Sequence, residues 1–322
     1  MASHITSAYE PFPRPDHVSQ ATTSHRQGNF VISSRKLPIS KAGPIDAMER
    51  SLGIPVPEMI FGDNVVAVEH RPSGWKIEFN AYDALDAVDK TDKNMLQVAY
   101  AKSWSASREQ TSAGIKDVVK PYDWSYSTTY KGTVSAPSSA SPAASTPLAP
   151  PPPPPAAAAA ATAKPSGNGD VSKDTTEEKN ERLVFKPTDK PIPIELLKRR
   201  DPILFFDEVM LYESELDDNG ISVFSVKVRV HEQRMLLLAR LFMRLDNVVV
   251  RIRDTRVYVD FAAEEVTREY TAKESGIQDV KRKLLMTGLV PDAVTVALRD
   301  ANKIADLLPT VEQALESVSL RS

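Results

Sequence analysis

Apolar and polar side chains alternate with two different periods along this chain. In WKIEFNA (75–81), Trp75, Ile77 and Phe79 alternate with Lys76, Glu78 and Asn80, the period of two expected of a strand with one buried face. PEMIFGDNVVAVEH (57–70) reads as strand, turn at Gly62-Asp63-Asn64, strand. IDAMERSLGI (45–54) reads as a short amphipathic helix ending at Gly53. From Asp83 the period lengthens. Ala84, Leu85, Val88, Met95, Val98 and Ala99 recur at helical spacing up to Trp104, with Asn80 or Asp83 as the N-cap.

The second half is richer in strand signals. ILFFDEVMLYESEL (203–216) runs into the turn-forming DDNG, and Val226, Val228 and Val230 then alternate with Lys227 and Arg229. MLLLARLFMRL (235–245) fits either a buried strand or a helix. The turn at Asp246-Asn247 before VVVRIRDTRVYVDF favours a hairpin. IQDVKRKLL, DAVTVALRDANKIADLL and TVEQALESV in the last 50 residues read as helical. The pattern as a whole predicts an α+β fold, antiparallel sheets built by hairpins with helices at the ends.

Composition adds boundaries that periodicity cannot supply. Residues 1–27 are rich in Pro, Ser and Thr and read as a disordered arm. Folded stretches at 28–131 and 182–322 flank a low-complexity linker at 132–181, whose first 32 residues, 132–163, carry no charge. Six prolines, Pro150 to Pro155, form a stiff rod of about 19 Å in the polyproline II conformation. The rod reads as a spacer. The alternative is a ligand for an SH3- or WW-type groove, which flanking Arg or Lys would strengthen and which none supports here.

Charge narrows the function classes. The 322 residues hold 40 Lys+Arg against 43 Asp+Glu, too balanced for a nucleic-acid binder that works by backbone electrostatics. Without Cys there is no thiol nucleophile, disulfide or Cys-ligated zinc. The N-terminus lacks an apolar h-region, and charges interrupt the most apolar stretch, so a soluble intracellular protein without membrane segments is expected. No phosphate loop, hydrolase elbow or metalloprotease motif occurs. Glu215-x-Asp217-x-Asn219-Gly220 imitates the start of a calcium loop. The twelfth position is Val226, which cannot ligate, so a hairpin turn explains the string and no metal or cofactor is expected.

Two segments carry more polar chemistry than a sheet requires. VVKPYDWSYSTTYKGT (118–133) sets Tyr122, Trp124, Tyr126 and Tyr130 beside Asp123 and Lys131: either aromatics covering a core edge or anchors of an interface. In VVVRIRDTRVYVDF (248–261), Arg251 and Arg253 share one strand face opposite Val250 and Ile252, and Asp254 and Arg256 follow at the strand end or in a turn. Such a cluster is either a solvated face with internal ion pairs or a set of guanidinium forks for a carboxylate or phosphate. Asp83 is a helix cap or a polar lip beside a groove.

At PEMIFGDNVV, IEFNAYDALDAV, VVKPYDWSYSTTYKGT and RIRDTRVY…REYTAKES the chain resembles the TIPRL family, the TOR signalling pathway regulator-like proteins. The similarity spans roughly 30–131 and 186–275 and weakens toward the C-terminus. The Ala/Pro linker departs from the family pattern in length and complexity. The resemblance implies one α+β domain interrupted by the linker, with a cleft that engages a partner. It implies a non-catalytic regulator, cytoplasmic with the nucleus as a second location, that binds the catalytic subunits of type 2A, 4 and 6 protein phosphatases, including their C-terminal tail. In fungi it also implies association with a second phosphatase-binding regulator. Asp83, Ile252 and Asp254 fall at positions the resemblance places at the phosphatase contact. Arg251, Arg253 and Arg256 would supply donors for a tail, and Tyr122 and Trp124 would line the groove. An Ile252 side chain that points to the core with Val250 could not also touch a partner; it would instead position Asp254. A scaffold acting through the polyproline rod is the alternative function, and an enzyme using the Asp/Arg cluster is a weaker third.

Overall fold

Residue parity decides the layers of this molecule. The structure, a computed structural model, describes residues 21–90, 122–136, 183–216 and 219–321. Five long antiparallel strands form a meander: β8 (Phe205–Ser214), β9 (Gly220–Val230), β10 (Arg234–Leu245), β11 (Val249–Asp260) and β12 (Glu265–Gly276). They centre an eight-stranded sheet in the order β3-β8-β9-β10-β11-β12-β13-β7, completed by β3 (Met59–Ile60), β13 (Thr310–Ser319) and β7 (Lys186–Pro187). A five-stranded sheet has the order β1-β2-β4-β5-β6, from β1 (Thr22–Gln27), β2 (Phe30–Arg35), β4 (Val65–His70), β5 (Trp75–Asn80) and β6 (Thr133–Ser135).

One face of each sheet builds a shared core. Ile32, Val68 and Trp75 of the small sheet join Val209, Val226 and Leu237 of the large one, all fully buried. The opposite face of the large sheet supplies Phe242, Val250 and Ile252 to a second core. Three helices cover it: α4 (Ile277–Met286), α5 (Pro291–Ala297) and α6 (Ala301–Ile304). Burial of Ile277, Val280 and Leu284 at i, i+3 and i+7 docks α4 on the sheet. Pro291 opens α5, where a missing N–H costs nothing. The result is three layers: small sheet, large sheet, helices.

Several sequence expectations hold. MLLLARLFMRL resolves to strand β10, and helix α1 (Ala42–Leu52) ends at Gly53, whose φ of 71° is the left-handed cap conformation. Gly220 has a sharper reason to be glycine, because an added Cβ would stand 1.9 Å from the Arg244 carbonyl oxygen. Others need correction. Residues 22–27 are not part of a disordered arm. They pair with β2 along an edge, with mostly exposed side chains, so no apolar alternation announces them. TVEQALESV is strand β13, not helix. Pairing with β12 from Glu265 to Lys273 overrides its helix-favouring composition. Thr133–Ser135, placed within the linker by composition, pairs with β5. Met59–Ile60 and Val65–His70 are strands around a turn, but each enters a different sheet. The helix expected from Asp83 to Trp104 is α2 (Ala81–Asp86), and Val88 already bridges to Thr128. The remainder of that helix, the polyproline rod and most of the linker lie outside the described residues. Between β7 and β8, a short turn of helix, α3 (Ile194–Leu197), crosses the outside of the large sheet.

Candidate functional site

Strand β11 carries the arginine cluster and presents it on two faces. Toward the small sheet, Arg251 donates from Nε to Glu274 Oε2 at 2.6 Å, and from Nη1 to Ser127 Oγ at 2.6 Å and Asp123 Oδ2 at 3.2 Å. Glu274 stands directly across from Arg251 in the β11–β12 ladder. Arg253, two residues on, shares the same Glu274 oxygen at 3.2 Å and reaches the Lys273 carbonyl at 3.3 Å. Both bonds are long. Burial, and then the charge of Arg251, pull the Arg253 guanidinium below its usual pKa, with Tyr270 and Glu274 opposing. Its side chain keeps 15% of its surface open.

Tyr270 faces the same side. Burial pushes its hydroxyl pKa up, Arg253 counters, and Glu312 of β13 acts in the opposite sense to Arg253. The hydroxyl is buried without a hydrogen-bond partner among the described residues. Lys131 Nζ lies 4.9 Å from the Tyr270 ring centroid and makes no ion pair among the described residues. Arg253 and Lys131 thus present donors that the fold itself uses incompletely, over a buried Tyr270.

Residues 122–133 form a strap between the sheets at this end. Asp123 N donates to Asp89 O at 2.8 Å, Tyr212 Oη to Tyr126 O at 2.8 Å, and Thr255 Oγ1 of β11 to Tyr130 O at 3.3 Å. Tyr126 holds a left-handed φ of 56°, a conformation that costs a bulky residue energy and persists only where contacts enforce it. Tyr122 is buried and Trp124 packs half-buried on the first core, so the aromatics mainly fix the strap.

Asp83 joins the strap from the other side. The Asn80 side chain accepts from Asp83 N at 2.8 Å and donates to Asp83 Oδ2 at 2.8 Å, so Asn80 is the N-cap of α2 and Asp83 completes the cap. Thr133 Oγ1 donates to the same carboxylate oxygen. Tyr130 Oη sits 2.9 Å from both Thr133 Oγ1 and Glu78 O. Burial first, and the Asp83 charge second, raise the Tyr130 pKa, so the phenol remains a donor. One strap therefore ties Asp83 to Thr255 through Tyr130, and ties Arg251 through Asp123 and Ser127.

The other predicted residues face the opposite way. Asp254, 3% exposed, accepts two bonds of 2.7 Å from Arg240 Nε and Nη2, and Arg240 Nη1 donates to Asn302 Oδ1 of α6 at 2.7 Å. Arg256 lies 3.7 Å from Asp254 and donates to Glu269 at 2.9 Å. Ile252 is fully buried beside Val250 under the helices, so direct contact with a partner is corrected to a packing role. The structure therefore groups Asp83, Tyr122, Trp124, Arg251 and Arg253 about one strap, and separates Ile252, Asp254 and Arg256 from them. Glu274, Ser127, Thr133 and Tyr270 belong to the site and were not singled out from the sequence. Counting the β11–β12 hairpin from its turn would have placed Glu274 opposite Arg251. Nothing local marks the Thr133 contact. Among the described residues no group of three or more His, Asp or Glu could hold a metal ion, and no helix is long and apolar enough to cross a membrane.

Comparison with known proteins adds a family to this geometry. Residues 59–281 match the model of the TIP41-like family. A Saccharomyces cerevisiae protein named Type 2A phosphatase activator TIP41 is 34% identical over 331 residues, spanning 98% of this chain and 80% of its own length. A human TIP41-like protein is 34% identical over 300 residues, spanning 92% of this chain and 90% of its own. A Schizosaccharomyces pombe protein named Type 2A phosphatase activator tip41 is 27% identical over 286 residues, spanning 89% of this chain and 94% of its own.

Proposed function

The chain belongs to the TIP41-like family, and from that footing we propose that it is a non-catalytic regulator that binds the catalytic subunits of type 2A-like protein phosphatases, types 2A, 4 and 6, within TOR signalling in the cytoplasm and nucleus. The names of the two fungal relatives support the phosphatase as partner. The observation that carries the site is the pairing of Arg251 and Arg253 on one shared carboxylate, Glu274. Arg251 is engaged by Glu274, Asp123 and Ser127. Arg253, partly open and weakly bonded, has guanidinium capacity to spare for an acceptor brought by the partner. A carboxylate entering beside Arg253 and Lys131 would meet two donors on a preformed surface, above the buried Tyr270 ring. Asp83 holds the strap that forms the rim.

Capture of a purified type 2A catalytic subunit by the full chain tests this reading. Arg253→Ala should reduce capture at least tenfold with little change in stability, and Asp83→Leu should weaken it. Capture that survives both changes removes the site from this face. Deleting 137–182 should leave capture intact; loss would favour the polyproline linker as the binding element.

A further inference from the structure

The outer face of the large sheet is roofed only in part. Helices α4–α6 cover Phe242, Val250 and Ile252 toward one end of the strands, and α6 reaches down to Arg240 through Asn302. Toward the other end, the segment carrying α3 sits over Arg234, whose Nη2 donates to Leu196 O at 2.6 Å. Between these walls two cross-strand rows remain. Pairing registers align Phe206, Arg229, Leu236 and Tyr258 in one row, and Glu208, Lys227, Leu238 and Arg256 in the next; Tyr258 is itself buried, so the first row is open from Phe206 to Leu236. Arg234 and Arg240 are six residues apart on β10, or ~20 Å along a strand. Allowing each wall about 5 Å leaves ~10 Å, the diameter of one α-helix.

The chemistry of this trough is apolar with a cationic rim. Phe206 is 53% and Leu204 46% exposed, while Leu236 and Leu238 are half-buried along the floor. Three of the carboxylates nearby are already engaged, Glu208 with Lys227 at 3.0 Å, Glu195 with Lys198 at 2.7 Å, and Asp201 with Arg234, while Glu232 stands exposed at the β9–β10 turn. Arg200 and Arg229 are exposed and make no ion pair among the described residues. An apolar strip with uncommitted guanidinium groups at its edge complements an acidic amphipathic helix, whose bulky residues would seat on Phe206, Leu236 and Leu238. We propose that this trough is a second docking surface, on the opposite side of the large sheet from the strap, for an acidic amphipathic helix of a partner protein. An anionic bilayer fits less well, because the floor is recessed between walls and a flat surface would not reach it.

The proposal stands apart from the phosphatase reading and is tested separately. Two fluorescein-labelled helix-forming peptides share Leu and Phe at i, i+3, i+4 and i+7, and carry either Glu or Lys elsewhere. Fluorescence anisotropy with the full chain should show the Glu peptide binding and the Lys peptide failing to bind. Phe206→Ser and Arg229→Glu, both at exposed positions, should each weaken the Glu peptide about tenfold or more. Capture of the type 2A catalytic subunit should survive both changes. No binding of the Glu peptide, equal binding of the Lys peptide, or binding unaffected by both variants would overturn the proposal. So would flotation with phosphatidylserine vesicles that depends on Phe206 and Arg229, which would make the trough a lipid site.

Discussion

The two faces of β11 use the same residue types to opposite ends. On the face toward the strap, two guanidinium groups share Glu274, and the second remains partly open. On the face toward the helices, one carboxylate, Asp254, receives a bidentate guanidinium and is sealed from solvent. The first arrangement leaves donor capacity for another molecule. The second spends everything on the fold, tying the sheet through Arg240 to Asn302 of the helical layer. If the proposed contact is right, adjacent residues in one motif report on different properties when changed: loss of function at Asp254 reports on the roof of the sheet, and loss at Arg253 on contact.

The largest effect is expected at Asp254. Replacing it with Ala strands a largely buried Arg240 charge, at a cost of about 3–5 kcal/mol. Chemical denaturation measures this, and faster amide exchange in α6 should accompany it. A stable Asp254→Ala protein that still loses phosphatase capture would break the division between the faces. Next is Ile252→Ala, which removes a fully buried side chain from the second core and should cost about 3 kcal/mol. It should act on capture only in proportion to the fraction unfolded, so that lowering the temperature restores binding.

Arg253 should behave the other way. Its guanidinium sits below its usual pKa because burial and Arg251 disfavour its charge, so truncation removes a charge that the site already disfavours. Arg253→Ala should change stability by under about 1 kcal/mol while reducing capture at least tenfold in a titration. Thr133→Val, which strips one donor from Asp83 without touching Arg253, should give a smaller loss.

How far the sequence anticipated this follows from where the information sits. Period-two alternation in WKIEFNA and from Phe224 to Val230 specified strands with one buried face, because burial itself writes that pattern. Edge strand β1 and the mixed strand β13 bury little and are held by backbone pairing, which leaves no side-chain pattern to read. The arginine cluster was legible as chemistry, and strand parity separated Arg251 and Arg253 from Ile252. Parity also sends Asp254 and Arg256 to the Ile252 side. Reading these two as the strand's end concealed that, because β11 continues to Asp260. The ties of the strap could not be read, since its geometry depends on partners distant in sequence, Asp83 and Arg251 among them, 50 and 128 residues from the strap residues they hold.

A third buried carboxylate, with a smaller effect, tests whether the inner face acts as one unit. Asp207 of β8 accepts from Ser34 and from Lys36 of the small-sheet side, and its own neighbour Glu208 N donates at 2.9 Å. Burial would raise its pKa, but the hydrogen bonds from Lys36 and Ser34 outweigh that and hold it below the ordinary carboxylate range. A depressed folded-state value gives stability that is complete above the unfolded-state pKa of about 3.9 and is lost as pH falls through the folded value. Asp207→Asn should therefore unfold more easily than wild type at neutral pH, with the gap closing below about pH 4. Because Asp207 ties the sheets far from the strap, the substitution should leave Arg253-dependent capture unchanged at pH 7. A parallel loss of capture would mean that the apposition of the two sheets, rather than the local ties of the strap, sets the geometry around Arg253.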